Sequence, residues 1–206
     1  MNDRNTVVAF SSFNFFIQCY DKSIPLHMQK MGAYLQWIIL AKRSRAVLLA
    51  FRYSGKSTLV GMLGAWLLFR NPQTRILILS AESRLAKRLL RHIQNIITNH
   101  PLCEYLVPEK GTKKEWGGDK FSVKRIGVLK DPSVVATGIF ANVTGIRADI
   151  VLCDDVEVPN TVSNPSKREK LMDRLVELEF ILGGQGLLLF IGTPHCLNSI
   201  YNTEQK

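Results

Sequence analysis

The sequence predicts an α/β domain with a mainly parallel central sheet flanked by helices, and three observations carry that prediction. Short, continuously apolar runs recur: "AVLLA" at 46–50, "RILILS" at 75–80, "DIVLCDD" at 149–155 and "GLLLFIGTPH" at 186–195. Runs this short and unalternated read as strands covered on both faces. Segments with helical spacing separate several of them, and the polar residues gather at their carboxyl ends, where α/β sheets place their sites.

The opening "MNDRNTVVAFSSFNFFIQCY" is apolar but interrupted by Ser11, Ser12, Asn14 and Gln18. It is too short to cross a bilayer and lacks a small-residue cleavage pattern, so residues 1–24 are expected to form a short helical segment packed on the core. From Pro25 to about Arg43, Leu26, Met31, Tyr34, Leu35 and Ile38 recur at helical spacing. A helix is expected from Ser57 to Phe69, stopped by Asn71-Pro72, and another from Ser83 to about His100, ended by Pro101. Leu85, Leu89, Ile93 and Ile96 form the apolar stripe of the second. The charged, glycine-rich stretch 102–130 is expected to hold loops and a short strand around "FSVKR", with a further strand over Ser133–Phe140. Pro165 opens a helix running to about Leu182, with Asn164 as N-cap and Gly183 past its end.

Composition narrows the function. A chain of 206 residues with 46% hydrophobic and 21% charged residues is globular rather than disordered. The net charge of +10 favours a polyanionic partner or a phosphate-bearing ligand, although charge speaks to association and not to fold. Cys19, Cys103, Cys153 and Cys196 lie far apart, so neither a zinc motif nor a disulfide framework is implied, and a reducing cytosol fits.

The stretch "AVLLAFRYSGKSTLVGMLG" carries the most chemistry. In the pattern G-x-x-x-x-G-K-[ST], backbone N–H groups cradle phosphates, the lysine reaches the outer phosphates and the hydroxyl meets magnesium. Gly55, Lys56 and Ser57 fill its last three places, with Thr58 next; an apolar strand precedes them and a helix N-terminus follows. Ala50 stands where the first glycine is usual, a position tolerant of alanine while φ stays negative. Arg52, Tyr53, Ser54, Gly55, Lys56, Ser57 and Thr58 are therefore the expected ATP-binding loop, and Arg52 can neutralise charge developing at a γ-phosphate.

A nucleotide hydrolase also needs a carboxylate on an adjacent strand and a group that positions water. Asp154 is the expected magnesium carboxylate beside Ser57, and Asp155 the expected catalytic one, with Glu157 as a rival for the second role. Thr193, at the tip of the last strand, places a hydroxyl near the γ-phosphate. These parts together describe a P-loop NTPase of the additional-strand (ASCE) type, using ATP and Mg2+.

The set "FRYSGKST", "GIRADIVLCDDVE" and "IGTPH" resembles the ATPase domain of the large terminase subunit of tailed bacteriophages, the DNA-packaging motor, in its subgroup with "DD" after the strand. The resemblance covers about Pro25 to His195 and makes 25–206 the ATPase domain. It implies that Lys56 binds the β- and γ-phosphates, Ser57 and Asp154 serve magnesium, Asp155 is catalytic, Arg52 stabilises the transition state and Thr193 couples hydrolysis to movement. It also implies that Gln29 contacts adenine, although Gln29 reads equally as a helix-surface residue. Arg147 could approach a neighbouring subunit's phosphate or pair with a nearby acid. The implied partners are double-stranded DNA, portal protein, the small terminase subunit and further copies of the chain, with no membrane, in the cytoplasm of a bacterial host. The chain stops about a dozen residues after Thr193, so a C-terminal nuclease domain is expected to be absent from it. Arg84, Lys87, Arg88 and Arg91 form one candidate DNA-facing surface on a helix, although they read more readily as an ordinary solvated helix face. A helicase core, or a truncated remnant that binds nucleotide without turnover, are the competing readings.

Overall fold

The computed structural model describes residues 3–109, 116–127, 129–193 and 199–203. Eight helices and six strands occur among them: α1 Asp3–Ser11, α2 Phe13–Tyr20, α3 Leu26–Leu40, β1 Arg45–Leu49, α4 Lys56–Arg70, β2 Ile76–Ser80, α5 Ser83–Asn99, β3 Lys120–Phe121, β4 Val134–Gly138, β5 Ala148–Asp154, α6 Pro159–Val162, α7 Pro165–Glu177, β6 Leu182–Gly192 and α8 Ile200–Thr203.

The strands form one sheet in the order β1-β6-β5-β2-β4-β3. Every pairing is parallel except β3 with β4 at the edge. The last strand, β6, is inserted between the loop-bearing β1 and the carboxylate-bearing β5, which is the additional-strand arrangement expected. Its register sets Leu49 beside Gly192 and Asp154 beside Ile191, so three strand tips end at one level.

Both faces of the sheet are covered. Ile76, Ile78, Ile150, Leu152, Leu189 and Ile191 join the core beneath α2, α3, α4 and α5, whereas Leu77, Leu79, Val151, Cys153, Leu188 and Phe190 join the core beneath α7 and α8. This alternation within continuously apolar strands is the two-residue period of a sheet buried on both sides. Helix α4 is buried without interruption from Leu59 to Phe69, as suits a helix apolar all round. Trp66 at its centre is fully buried, donates its indole N–H to the Ala9 carbonyl at 2.9 Å and lies 5.1 Å from the Phe13 ring. Burying a side chain of this size contributes about 3 kcal/mol, so α1 and α2 are bound firmly to α4.

Several expectations are corrected. The N-terminal segment is two helices, because Ser12 breaks the run and caps α2 by accepting from the Phe15 N–H. Leu26 and Tyr34 do not face the core: both are exposed, and the Tyr34 hydroxyl donates to Val47 of the edge strand β1 at 3.1 Å. Only Lys120–Phe121 forms the short middle strand; Val123 and Lys124 bond instead to Ser133 Oγ and the Leu106 carbonyl. Helix α7 ends at Glu177, a single 3-10 turn follows, and Gly183 lies within β6 rather than past a helix. The cause is long-range: Ala148 pairs with Leu182 and its N–H donates to Ile181, drawing that backbone into the sheet. Strand β6 ends at Gly192; Pro194, His195 and Cys196 lie outside the described residues. The remaining cysteines are free thiols.

Candidate nucleotide and metal site

Strand β1 delivers the chain to a tight loop at the carboxyl edge of the sheet. Ala50 is held there by its N–H to the Gly192 carbonyl at 3.3 Å, and it has no positive φ. The loop turns through Tyr53 at φ 66° and Gly55 at φ 78°. Left-handed backbone costs glycine little and strains a bulky residue such as Tyr53, and strain of this kind gathers at binding loops. Gly55 is required on a second count, since a Cβ there would fall 2.7 Å from Met28 Sδ. His27 Nε2 lies 3.1 Å from the Ser54 carbonyl, which only accepts, so the ring donates and α3 braces the loop from behind.

Lys56, the first residue of α4, is only 8% exposed. Its ammonium donates to Thr193 Oγ1 at 3.2 Å and lies 4.0 Å from Asp155 Oδ2. The Thr193 hydroxyl in turn donates to the Ala50 carbonyl at 2.9 Å. The tip of β6 is thus fastened to the first turn of the loop through one hydroxyl. Ser57 and Thr58 are exposed in the first turn of α4, where free N–H groups attract anions. Arg52 and Tyr53 face solvent, and Arg52 has no hydrogen bond or ion pair among the described residues.

Asp154 ends β5 and is 8% exposed, and its Oδ1 has no hydrogen-bond partner among the described residues. Burial, reinforced by Asp155 and opposed by Lys56, pushes its carboxyl up to about 7. Asp155 adopts φ 45°, a conformation aspartate tolerates, with its N–H on Ile191 and its carbonyl accepting from Ala81. A cavity of about 330 Å³ separates α4, α5 and the tip of β5, lined by Ser57, Thr58, Arg88, His92, Asp154 and Asp155 among others.

These residues fit magnesium. No group of three or more His, Cys, Asp or Glu that could hold a metal occurs among the described residues. One orphaned buried carboxylate oxygen sharing a cavity with a serine at a helix N-terminus suits an ion that takes few protein ligands and completes its shell with phosphate and water.

No family model matches the chain. It is 34% identical over 160 residues to the terminase large subunit of Enterobacteria phage T3, across 75% of this chain and 26% of that protein. The chain is homologous to part of a phage terminase large subunit. The large terminase of bacteriophage HK97 shares its fold with a TM-score of 0.53 at 12% identity, covering 82% of this chain and 33% of that one. Dbp5 from S. cerevisiae, solved with Nup159, Gle1, IP6 and ADP, superposes with a TM-score of 0.53 at 13% identity, over 90% of this chain and 46% of that one. The chain therefore spans about a quarter of the T3 terminase subunit and a third of the HK97 one.

The remaining candidate residues lie outside this cluster, apart from Arg88. The Gln29 side-chain amide donates to the Ile24 carbonyl at 2.9 Å, and it is His27 and Met28 that touch the loop. Glu157 is fully buried and accepts from Ser199 Oγ and the Ile200 N–H at 2.9 and 2.8 Å, at the start of α8. Arg147 precedes β5 and so stands at the opposite end of that strand from Asp154. On α5, Arg84, Arg88 and Arg91 are exposed and Lys87 is half-buried, but Arg88 also lines the cavity. Sequence reasoning missed His27, Met28 and His92. Spacing along the chain carried no signal for them, since each acts across a helix packing. Among the described residues no helix is long and apolar enough to cross a membrane.

Proposed function

We propose that this chain is the ATP-hydrolysing motor domain of a phage terminase large subunit, powering translocation of double-stranded DNA into a procapsid. The observation that supports it best is the fastening of Lys56 to Thr193, and of Thr193 to Ala50, beside the paired carboxylates. Lys56 would bind the β- and γ-phosphates, with Tyr53, Ser54, Gly55, Ser57 and Thr58 supplying the cradle. Ser57 and Asp154 would hold magnesium, which when bound neutralises charge on the phosphates. Asp155 orients the attacking water, and Arg52, free in the loop, swings onto the charge that develops. Loss of the outer phosphate releases Lys56 to Thr193, and the tip of β6 carries that change into the sheet.

In this reading residues 25–206 are the ATPase unit and 1–24 a helical segment appended to it. Arg84, Lys87 and Arg91 present the candidate DNA surface, and contact with phosphates there would be salt-dependent. Portal protein, small terminase subunit and further copies of the chain are the partners, in the cytoplasm of a bacterial host. Phosphate release by the chain with magnesium and ATP, with and without double-stranded DNA, tests the proposal. Lys56→Ala should lower turnover by about 10²–10³-fold. Turnover unchanged by that substitution removes the assignment, and nucleotide binding without any turnover favours a remnant.

A further inference from the structure

His92 is not part of the loop, the carboxylate pair or the strand tip, yet the fold brings it to the first turn after the loop and to the carboxylate pair. It lies on α5, one helical turn beyond Arg88, and both side chains line the cavity shared by Ser57, Asp154 and Asp155. Its ring rests on α4 at Gly61. A Cβ at that position would fall 2.2 Å from His92 Cδ2, so glycine is what lets the imidazole lie against the helix backbone. Its Nε2 is buried and has no hydrogen-bond partner among the described residues, as is true of Asp154 Oδ1 in the same cavity. Buried polar atoms without partners are costly and uncommon, and two in one polar space point to something that enters it. Burial holds the imidazole below its ordinary pKa, against a smaller pull from the Thr58 backbone, so the ring is neutral at pH 7. A neutral ring hydrogen-bonds water without adding charge beside Asp154.

We propose that His92 is a positioning residue of this site: its Nε2 hydrogen-bonds an ordered water of the magnesium–phosphate assembly and so fastens α5 to whatever fills the cavity. The inference rests on the ATPase reading above. It gives α5 a contact with the occupant of the site beside the face that carries Arg84 and Arg91 to solvent.

The test is nucleotide affinity, read by fluorescence with a mant-ATP probe on the whole chain, with magnesium and with EDTA. In His92→Phe the gain in affinity brought by magnesium should shrink about three- to tenfold, the value of one hydrogen bond, while affinity in EDTA stays as in the wild type. His92→Gln, which retains a polar tip, should recover part of that gain. An unchanged magnesium-dependent gain in His92→Phe overturns the role of His92 and leaves the ATPase reading standing. Equal losses with and without magnesium in both variants also overturn it, because they report general damage to the fold. A wild-type chain with no magnesium-dependent ATP binding overturns the ATPase reading and this inference with it.

Discussion

The two ends of the sheet are built on opposite principles. At the amino end Arg75 is held on every side: its N–H and its Nε donate to Asp149 Oδ2 at 2.8 and 3.1 Å, and its Nη2 donates to Asp149 Oδ1 at 2.7 Å. Asp131 stands 3.7 Å from the same guanidinium. At the carboxyl end Ser54 Oγ, Ser80 Oγ, His92 Nε2 and Asp154 Oδ1 are buried without partners, and Tyr53 and Asp155 hold left-handed backbone. The Arg75 cluster is satisfied by the chain itself, although Arg70 Nε and Gln73 Oε1 near the same end are buried without partners among the described residues. The carboxyl end gathers more such atoms, at the strand tips and the loop, as a pre-organised site does and a structural brace does not.

That contrast can be broken from either side. At the carboxyl end, Thr193→Val keeps shape but removes the hydroxyl between Lys56 and Ala50; turnover should fall by about tenfold with the denaturation midpoint nearly unchanged. A midpoint that moves as much as the rate would make Thr193 a brace like Arg75. At the amino end the outcome should invert. Asp149→Ala strips the partners from a partly exposed pair, costing about 1 kcal/mol in urea denaturation, with the magnesium-dependent nucleotide affinity unaltered.

The smallest effect is expected away from both ends, where His100 fixes α2. Its Nδ1 accepts from the Leu102 N–H, so Nε2 carries the proton donated to the Phe16 carbonyl at 2.9 Å. Burial, only partly offset by that bond to Phe16, holds its pKa below the ordinary value, so the folded state prefers the neutral ring. This contribution to stability is complete above the unfolded pKa of about 6.5 and is lost as pH falls below it. Between pH 7.5 and 5.5 the wild type should lose more stability than His100→Asn, measured by urea denaturation at each pH. Equal losses would show that His100 does not sense the change.

How much of this was legible in the sequence depended on the range of the cause. The strands and the phosphate loop were readable because continuous burial and a glycine–lysine–serine turn are written in adjacent residues. The end of α7 was not, because Gly183 is a local helix stop overruled by pairing between Leu182 and Ala148. The outward turn of Tyr34 was hidden for the same reason: its hydroxyl answers a carbonyl on the edge strand, and periodicity counts only its ring. Within the site, Lys56, Asp154 and Asp155 were recognisable by type and context. His92 read as an ordinary position on an amphipathic helix, since only the packing of α5 on Gly61 brings it to the carboxylates.

Glu157 carries a consequence of its own. It follows Asp155 by two positions and accepts from Ser199 and Ile200, which follow the tip of β6 across a few residues. The segment that leaves β5 is therefore tied to the start of α8 by one buried carboxylate. The turn that leaves Asp154 and Asp155 shares one buried anchor with the start of α8, and removing the Glu157 carboxylate would loosen both at once.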